Sequence, residues 1–194
     1  MYLAKVLVYI SILIWLLPPF RQLKGGYFWY FLILGYSDPL ALFFLWIFKL
    51  KVEYIHLIIA FLLTISVLFY NNNLNFKWIA ALFLLLIFSV RKVGVDNRYF
   101  YFIIFHIIIF LQILIPSIKE FYVKHRINLY FTVLLIYELT TILKFVAFIY
   151  NYFSGVYLAY LSSVFEMVIA LFFMFYTLQN SPQFKLPFGM AEEL

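Results

Sequence analysis

Leu129–Tyr150 (LYFTVLLIYELTTILKFVAFIY) is an apolar run with a charge near its centre, Glu138, and a second nearer one end, Lys144. As a helix it would be about 33 Å long, enough to cross the hydrocarbon of a bilayer. An ionised group at the bilayer centre costs roughly 2.5–3.5 kcal/mol on insertion scales, so neither side chain is expected to face lipid. Both are expected to point toward other helices or into a watered cavity.

The rest of the chain repeats the apolar pattern. Further runs cover 2–17, 27–48, 52–70, 76–90, 99–118 and 156–178, separated by short polar loops such as 71–75 (NNNLN). With 68% hydrophobic and only 11% charged residues among 194, the chain lies far from a soluble domain, where about 25% are charged. The expected fold is all-α, a bundle of seven transmembrane helices forming a single transmembrane domain over 1–180, with an exposed C-terminal tail at 181–194. No small-x-small cleavage site follows the first run, so it reads as a retained helix rather than a signal peptide. Ser37-Asp38-Pro39 interrupts the second run at mid-depth, where Pro39 removes a backbone donor and is expected to kink or break the helix beside Asp38. Aromatic clusters at helix starts, Tyr27-Phe28-Trp29-Tyr30 and Tyr99-Phe100-Tyr101-Phe102, read as an interfacial belt.

Several function classes fall away. The absence of cysteine excludes disulfides, thiolate metal sites and thiol nucleophiles. The net charge of +6 is spread singly or in pairs between spans, which points to lipid headgroups and not to nucleic acid. No H-E-x-x-H or paired-histidine spacing suggests a metal, the last span has no lysine for a retinal Schiff base, and no serine sits in a G-x-S-x-G setting. No cofactor is implied. Alternate loops carry basic residues almost evenly, and Arg21 and Lys24 after the first run favour an N-terminus outside. The Phe, Tyr, Ile, Asn and Lys usage fits an AT-rich genome, hence a bacterial inner membrane.

An internal repeat is suggested by Leu16-Leu17-Pro18-Pro19-Phe20-Arg21-Gln22 and Leu114-Ile115-Pro116-Ser117-Ile118-Lys119-Glu120, each ending a helix and starting a basic loop. Allowing three extra residues in the second loop sets Tyr36 over Tyr137 and Asp38 one position from Glu138. Helices one to three and five to seven would then be related halves, joined by a linker helix and running the same way through the membrane, a common plan for transporters. This plan resembles the three-plus-one-plus-three arrangement of the PQ-loop and sugar-transporter superfamily, in which a proline ends the first helix of each half. The proline–glutamine pair of that family is absent at both places, so no family residue is assigned.

The candidate site gathers the ionisable residues that fall near mid-bilayer: Asp38, His106, Glu138 and Glu166 on four different spans, with Lys144 one or two turns away. Intramembrane carboxylates and histidines are the usual proton carriers, so the expected function is binding or transport of a small solute or ion, with proton or cation linkage. The structural alternative is a closed hydrogen-bond network with Ser37, Tyr137, Thr140 and Thr141 as partners. Lys144 lies six residues beyond Glu138, too far around the helix to pair with it, and is expected to pair with Glu166 or another helix or to snorkel toward the helix end. Other functional readings are a non-catalytic subunit or sensor-like anchor with membrane-protein partners, and an intramembrane enzyme using the carboxylates on a lipid-like substrate.

Overall fold

A computed structural model describes residues 2–49, 52–70, 76–91, 98–150, 152 and 155–185. The chain is all-α apart from one short strand pair. Its elements are α1 (Tyr2–Trp15), α2 (Pro18–Arg21), α3 (Phe28–Phe48), α4 (Val52–Tyr70), α5 (Phe76–Arg91), α6 (Arg98–Lys124), β1 (Arg126–Asn128), α7 (Leu129–Tyr150), α8 (Gly155–Phe175) and β2 (Gln183–Lys185). Among the described residues three helices are long and apolar enough to cross a membrane, over Phe28–Phe48, Tyr99–Lys124 and Leu129–Tyr150. Shorter apolar stretches cover Val6–Arg21, Tyr54–Tyr70, Lys77–Phe88 and Tyr160–Phe175. The 71–75 boundary, the turn at 92–97, Lys51 and the tail beyond Lys185 lie outside the described residues.

Helix packing closes a ring. α1 packs on α3, α3 on α4, α4 on α6, α6 on α7, α7 on α8, and α8 returns to α1. α5 lies outside against α4, with Phe83 on Phe61 and Leu82 buried. The outward surface is apolar, including Trp46, Leu161, Val168 and Phe175, all more than half exposed. That is the inverse of a soluble bundle and fits lipid as the solvent.

One end of the ring is sealed by aromatic packing. Tyr27 and Tyr70 pack with tilted rings, their centroids 4.3 Å apart, Phe31 meets Phe173 at 4.7 Å, and Tyr130 meets Phe173 edge-on at 5.2 Å. These contacts bring together the starts of α3 and α7 and the ends of α4 and α8. Gln22, wholly buried just after α2, donates from Nε2 to the carbonyls of Phe173 (3.1 Å) and Tyr176 (2.8 Å). Those carbonyls belong to the last turn of α8 and the residue after it, where helical donors run out, so a side chain 151 residues away caps the helix.

Several features depart from sequence expectation. Neither proline breaks its helix: α3 runs through Pro39 and α6 through Pro116 to Lys124. A proline inside a helix removes one hydrogen bond, a smaller loss in an apolar setting than ending the helix and leaving several backbone groups without partners. α3 ends instead at Lys49, which adopts a left-handed conformation (φ 52°) and donates its N–H to Leu45 O. His125 (φ 47°) does the same after α6. The C-terminal segment is not wholly a free tail. Residues 183–185 pair antiparallel with β1, Leu129 N–H donates to Pro182 O, and Tyr130 N–H reaches both Asn128 Oδ1 (3.0 Å) and Ser181 Oγ (2.9 Å). The segment thereby supplies acceptors to the exposed amides at the start of α7. The aromatic belt also divides. Tyr27, Tyr30 and Phe102 are buried while Trp29 and Phe100 are exposed, because residues three or four apart share one face of a helix and those between them turn to other faces.

Gly35 is required by a close approach. A Cβ there would sit 2.5 Å from the Trp15 carbonyl oxygen and 3.1 Å from Pro19 Cγ, which lets the end of α1 lie against the middle of α3. Alanine gains about 1 kcal/mol of helix propensity over glycine. The clash is with backbone, so the expected net effect of Gly35→Ala is still a loss of about 1–3 kcal/mol, read as a lower unfolding midpoint in detergent. Gln22→Leu leaves the α8 carbonyls without their donor, and the same measurement should show a loss of about 1–3 kcal/mol.

Candidate functional site

The inward face of α7 carries Tyr130, Phe131, Leu134, Tyr137 and Glu138, spaced so that all turn toward the ring axis. Glu138 has no exposed surface. One carboxylate oxygen accepts from the Tyr30 hydroxyl on α3 and the other lies 2.7 Å from His106 Nδ1 on α6. That short contact shares one hydrogen between the carboxyl oxygen and His106 Nδ1 and leaves His106 Nε2 outside it. Tyr30, Glu138 and His106 thus form a chain that joins three helices, with the histidine as its member on the cavity side.

That cavity is about 440 Å³ and is lined from all six helices of the ring, with none of its residues from α5. It runs from Gly35, His106 and Tyr137 at mid-bundle to Tyr99 and Phe148, near the start of α6 and the end of α7. The aromatic seal lies at the opposite end of those helices. Asp38, His106, Lys144 and Glu166 all line this space, together with His56. Lys144 donates to Glu166 at 3.0 Å, both side chains being about one-third exposed or less. Of its two expected destinations, Lys144 therefore takes the partner on α8. Asp38 is half-buried and makes no hydrogen bond or ion pair among the described residues.

The five ionisable residues picked out from sequence do not converge on one point. Four share the cavity wall, while Glu138 lies behind His106, away from that space. The hydroxyls expected to serve the carboxylates turn to their own helices. Ser37 Oγ donates to Leu34 O, and Thr140 and Thr141 donate to Tyr137 O. Each satisfies itself locally, as hydroxyls in apolar helices do. Sequence reasoning missed Tyr30, hidden in an aromatic cluster, and His56, near the start of its helix.

No protein-family model, curated protein or solved structure matches the chain.

An aromatic wall completes the cavity. Phe102 stacks on Phe145 at 4.9 Å and 11°, Tyr99 on Phe148 at 5.6 Å and 16°, and His106 lies 5.7 Å from Phe145. Among the described residues no group of three His, Asp or Glu side chains is placed to hold a metal ion. What the arrangement offers chemically is a free carboxylate, an internally neutralised ion pair, an oriented imidazole and π-faces.

If the buried chain is a unit, its energetics are coupled. Tyr30→Phe and Glu138→Gln should each destabilise the protein, and the double variant should fall short of their sum by about 0.5–3 kcal/mol in detergent unfolding. Additive losses would show that the two side chains act independently.

Proposed function

We propose that the protein is a multi-pass membrane protein of a bacterial inner membrane that binds and moves a small solute, with His106 and Glu138 linking solute movement to a proton. The observation that carries this reading is the cavity into which six helices bring Asp38, His106, Lys144 and Glu166. Its volume suits a small molecule rather than a bare ion. Its one-sided shape, open space along one half and aromatic packing along the other, matches what a carrier holds in one of its two access states.

Seven crossings are part of the proposal. Beyond the three long apolar helices, α4 has 19 residues and α8 has 21, lengths within the roughly 17–25 residues of a span. The ring order supports two related halves, α1, α3, α4 and α6, α7, α8, joined by α5. In this order α1 stands opposite α6, α3 opposite α7 and α4 opposite α8, so exchanging the halves leaves every neighbour relation unchanged. Rocking of such halves about a central site is the usual route to alternating access. An enzyme working through Glu138 on a lipid-like substrate has less support, because that carboxylate is enclosed by protein and does not reach the cavity.

Vesicles reconstituted with the purified protein and loaded with pyranine report internal pH. On addition of panels of amines, amino acids and sugars, one class is expected to change internal pH with the wild-type protein. His106→Gln and Glu138→Gln should lower that response by at least about tenfold. A folded, monodisperse wild-type protein that gives no solute-evoked pH change with any class overturns the proton-linked reading.

A further inference from the structure

We propose that the solute is a small organic cation, an ammonium compound with an apolar body, anchored by Asp38 and packed against the Tyr99, Phe102, Phe145 and Phe148 wall. This rests on the solute-binding reading above and names the ligand class for that same cavity.

The first argument is charge. Of the acids near the cavity, Glu166 is neutralised by Lys144 at 3.0 Å and Glu138 is enclosed with Tyr30 and His106. Asp38 alone lines the space with no hydrogen bond or ion pair among the described residues. A half-buried carboxylate between apolar helices is stabilised by an opposite charge, and the cavity lysine is already engaged. An anionic solute would meet Asp38 with no unengaged lysine or arginine among the described lining residues to offset it.

The second argument is the wall. Stacked rings present π-faces and edges, and a cation over an aromatic face is held by the ring quadrupole, most strongly where water is excluded. Two stacked pairs, Phe102 with Phe145 and Tyr99 with Phe148, lie along the same side of the cavity on α6 and α7. α7 stands across the ring from the Asp38 helix. A solute between them would meet a carboxylate on one side and rings on the other. Hydrated or metal cations fit less well, since a hard ion takes about six oxygen ligands and no three candidate acidic or imidazole ligands gather among the described residues. A volume of about 440 Å³ leaves room for an organic body beside the charge.

The test is isothermal titration of the full-length protein in lipid nanodiscs with benzyltrimethylammonium, benzyl alcohol and benzoate, each corrected with empty nanodiscs. Saturable binding of benzyltrimethylammonium alone is expected. Asp38→Asn should weaken it by at least about tenfold, Asp38→Glu should retain it within about threefold, and Phe145→Leu should weaken it by about threefold or more. Each variant is compared with wild type in thermal unfolding and size-exclusion profile, and Asp38→Glu keeps the test decisive if Asp38→Asn misfolds. Equal binding by wild type and Asp38→Asn overturns the anchor. Saturable binding of benzoate or benzyl alcohol without the cation overturns the cation class while leaving solute binding intact. Absence of cation binding by folded wild-type protein overturns this proposal, whereas the pyranine response decides the transport reading separately.

Discussion

A carboxylate with no exposed surface in the middle of an apolar helix is the constraint around which this structure is arranged. Glu138 has no water to solvate it, so donors must come from the protein. They come from α3, as the Tyr30 hydroxyl, and from α6, as His106 Nδ1. Hydrophobic attraction does little to hold helices together in lipid, where the surrounding tails are as apolar as the side chains. Directed hydrogen bonds and close contacts therefore set the relative positions of α3, α6 and α7. The positions of these three helices in turn determine where Asp38, Lys144 and the rings of α6 and α7 stand.

The two ends of the ring solve different problems. At one end Gly35 lets α1 pass close to α3, Gln22 caps α8, and the 181–185 segment supplies acceptors to the start of α7. Tyr27, Phe31, Tyr130 and Phe173 fill the remaining space. At the other end the ring helices do not fill their interior, and ionisable and aromatic side chains line the opening beside aliphatic ones. A bundle selected only for stability would have apolar side chains in both halves, since a void costs roughly 24 cal/mol per Å³ when packing is lost. Retaining a space of about 440 Å³ lined with five ionisable side chains is hard to reconcile with packing alone.

Much of this was legible in the sequence, and the misses have physical causes. Helix positions followed from apolar run length, since in lipid the run itself is the signal. The ionisable residues stood out because the background was apolar, and depth along each run placed Asp38, His106 and Glu166 near one another. The azimuth of each side chain was not legible. Almost every position in these helices is apolar whichever way it faces, so amphipathic periodicity cannot separate the lipid face from the ring axis. For that reason Tyr30 and Phe102 looked like interfacial aromatics, and Ser37, Thr140 and Thr141 looked like available partners. Pro39 and Pro116 misled for a different reason. The rule that proline ends a helix is calibrated on helices whose freed backbone groups meet water, whereas in an apolar setting opening the helix would leave further backbone groups without partners, so the helix continues past the proline.

Sequence alignment of the two halves set Asp38 and Glu138 almost over one another and invited a common role. Their surroundings separate them. Glu138 has two hydrogen-bond partners and no exposed surface, and of those partners only His106 lines the cavity. Asp38 borders the cavity and has no donor among the described residues. One position off the repeat is about 100° of helix rotation, enough to turn one carboxylate into the packed interface and leave the other on the wall. On the proposed function, the residue that organises the fold and the residue that would meet the solute are different members of a near-equivalent pair.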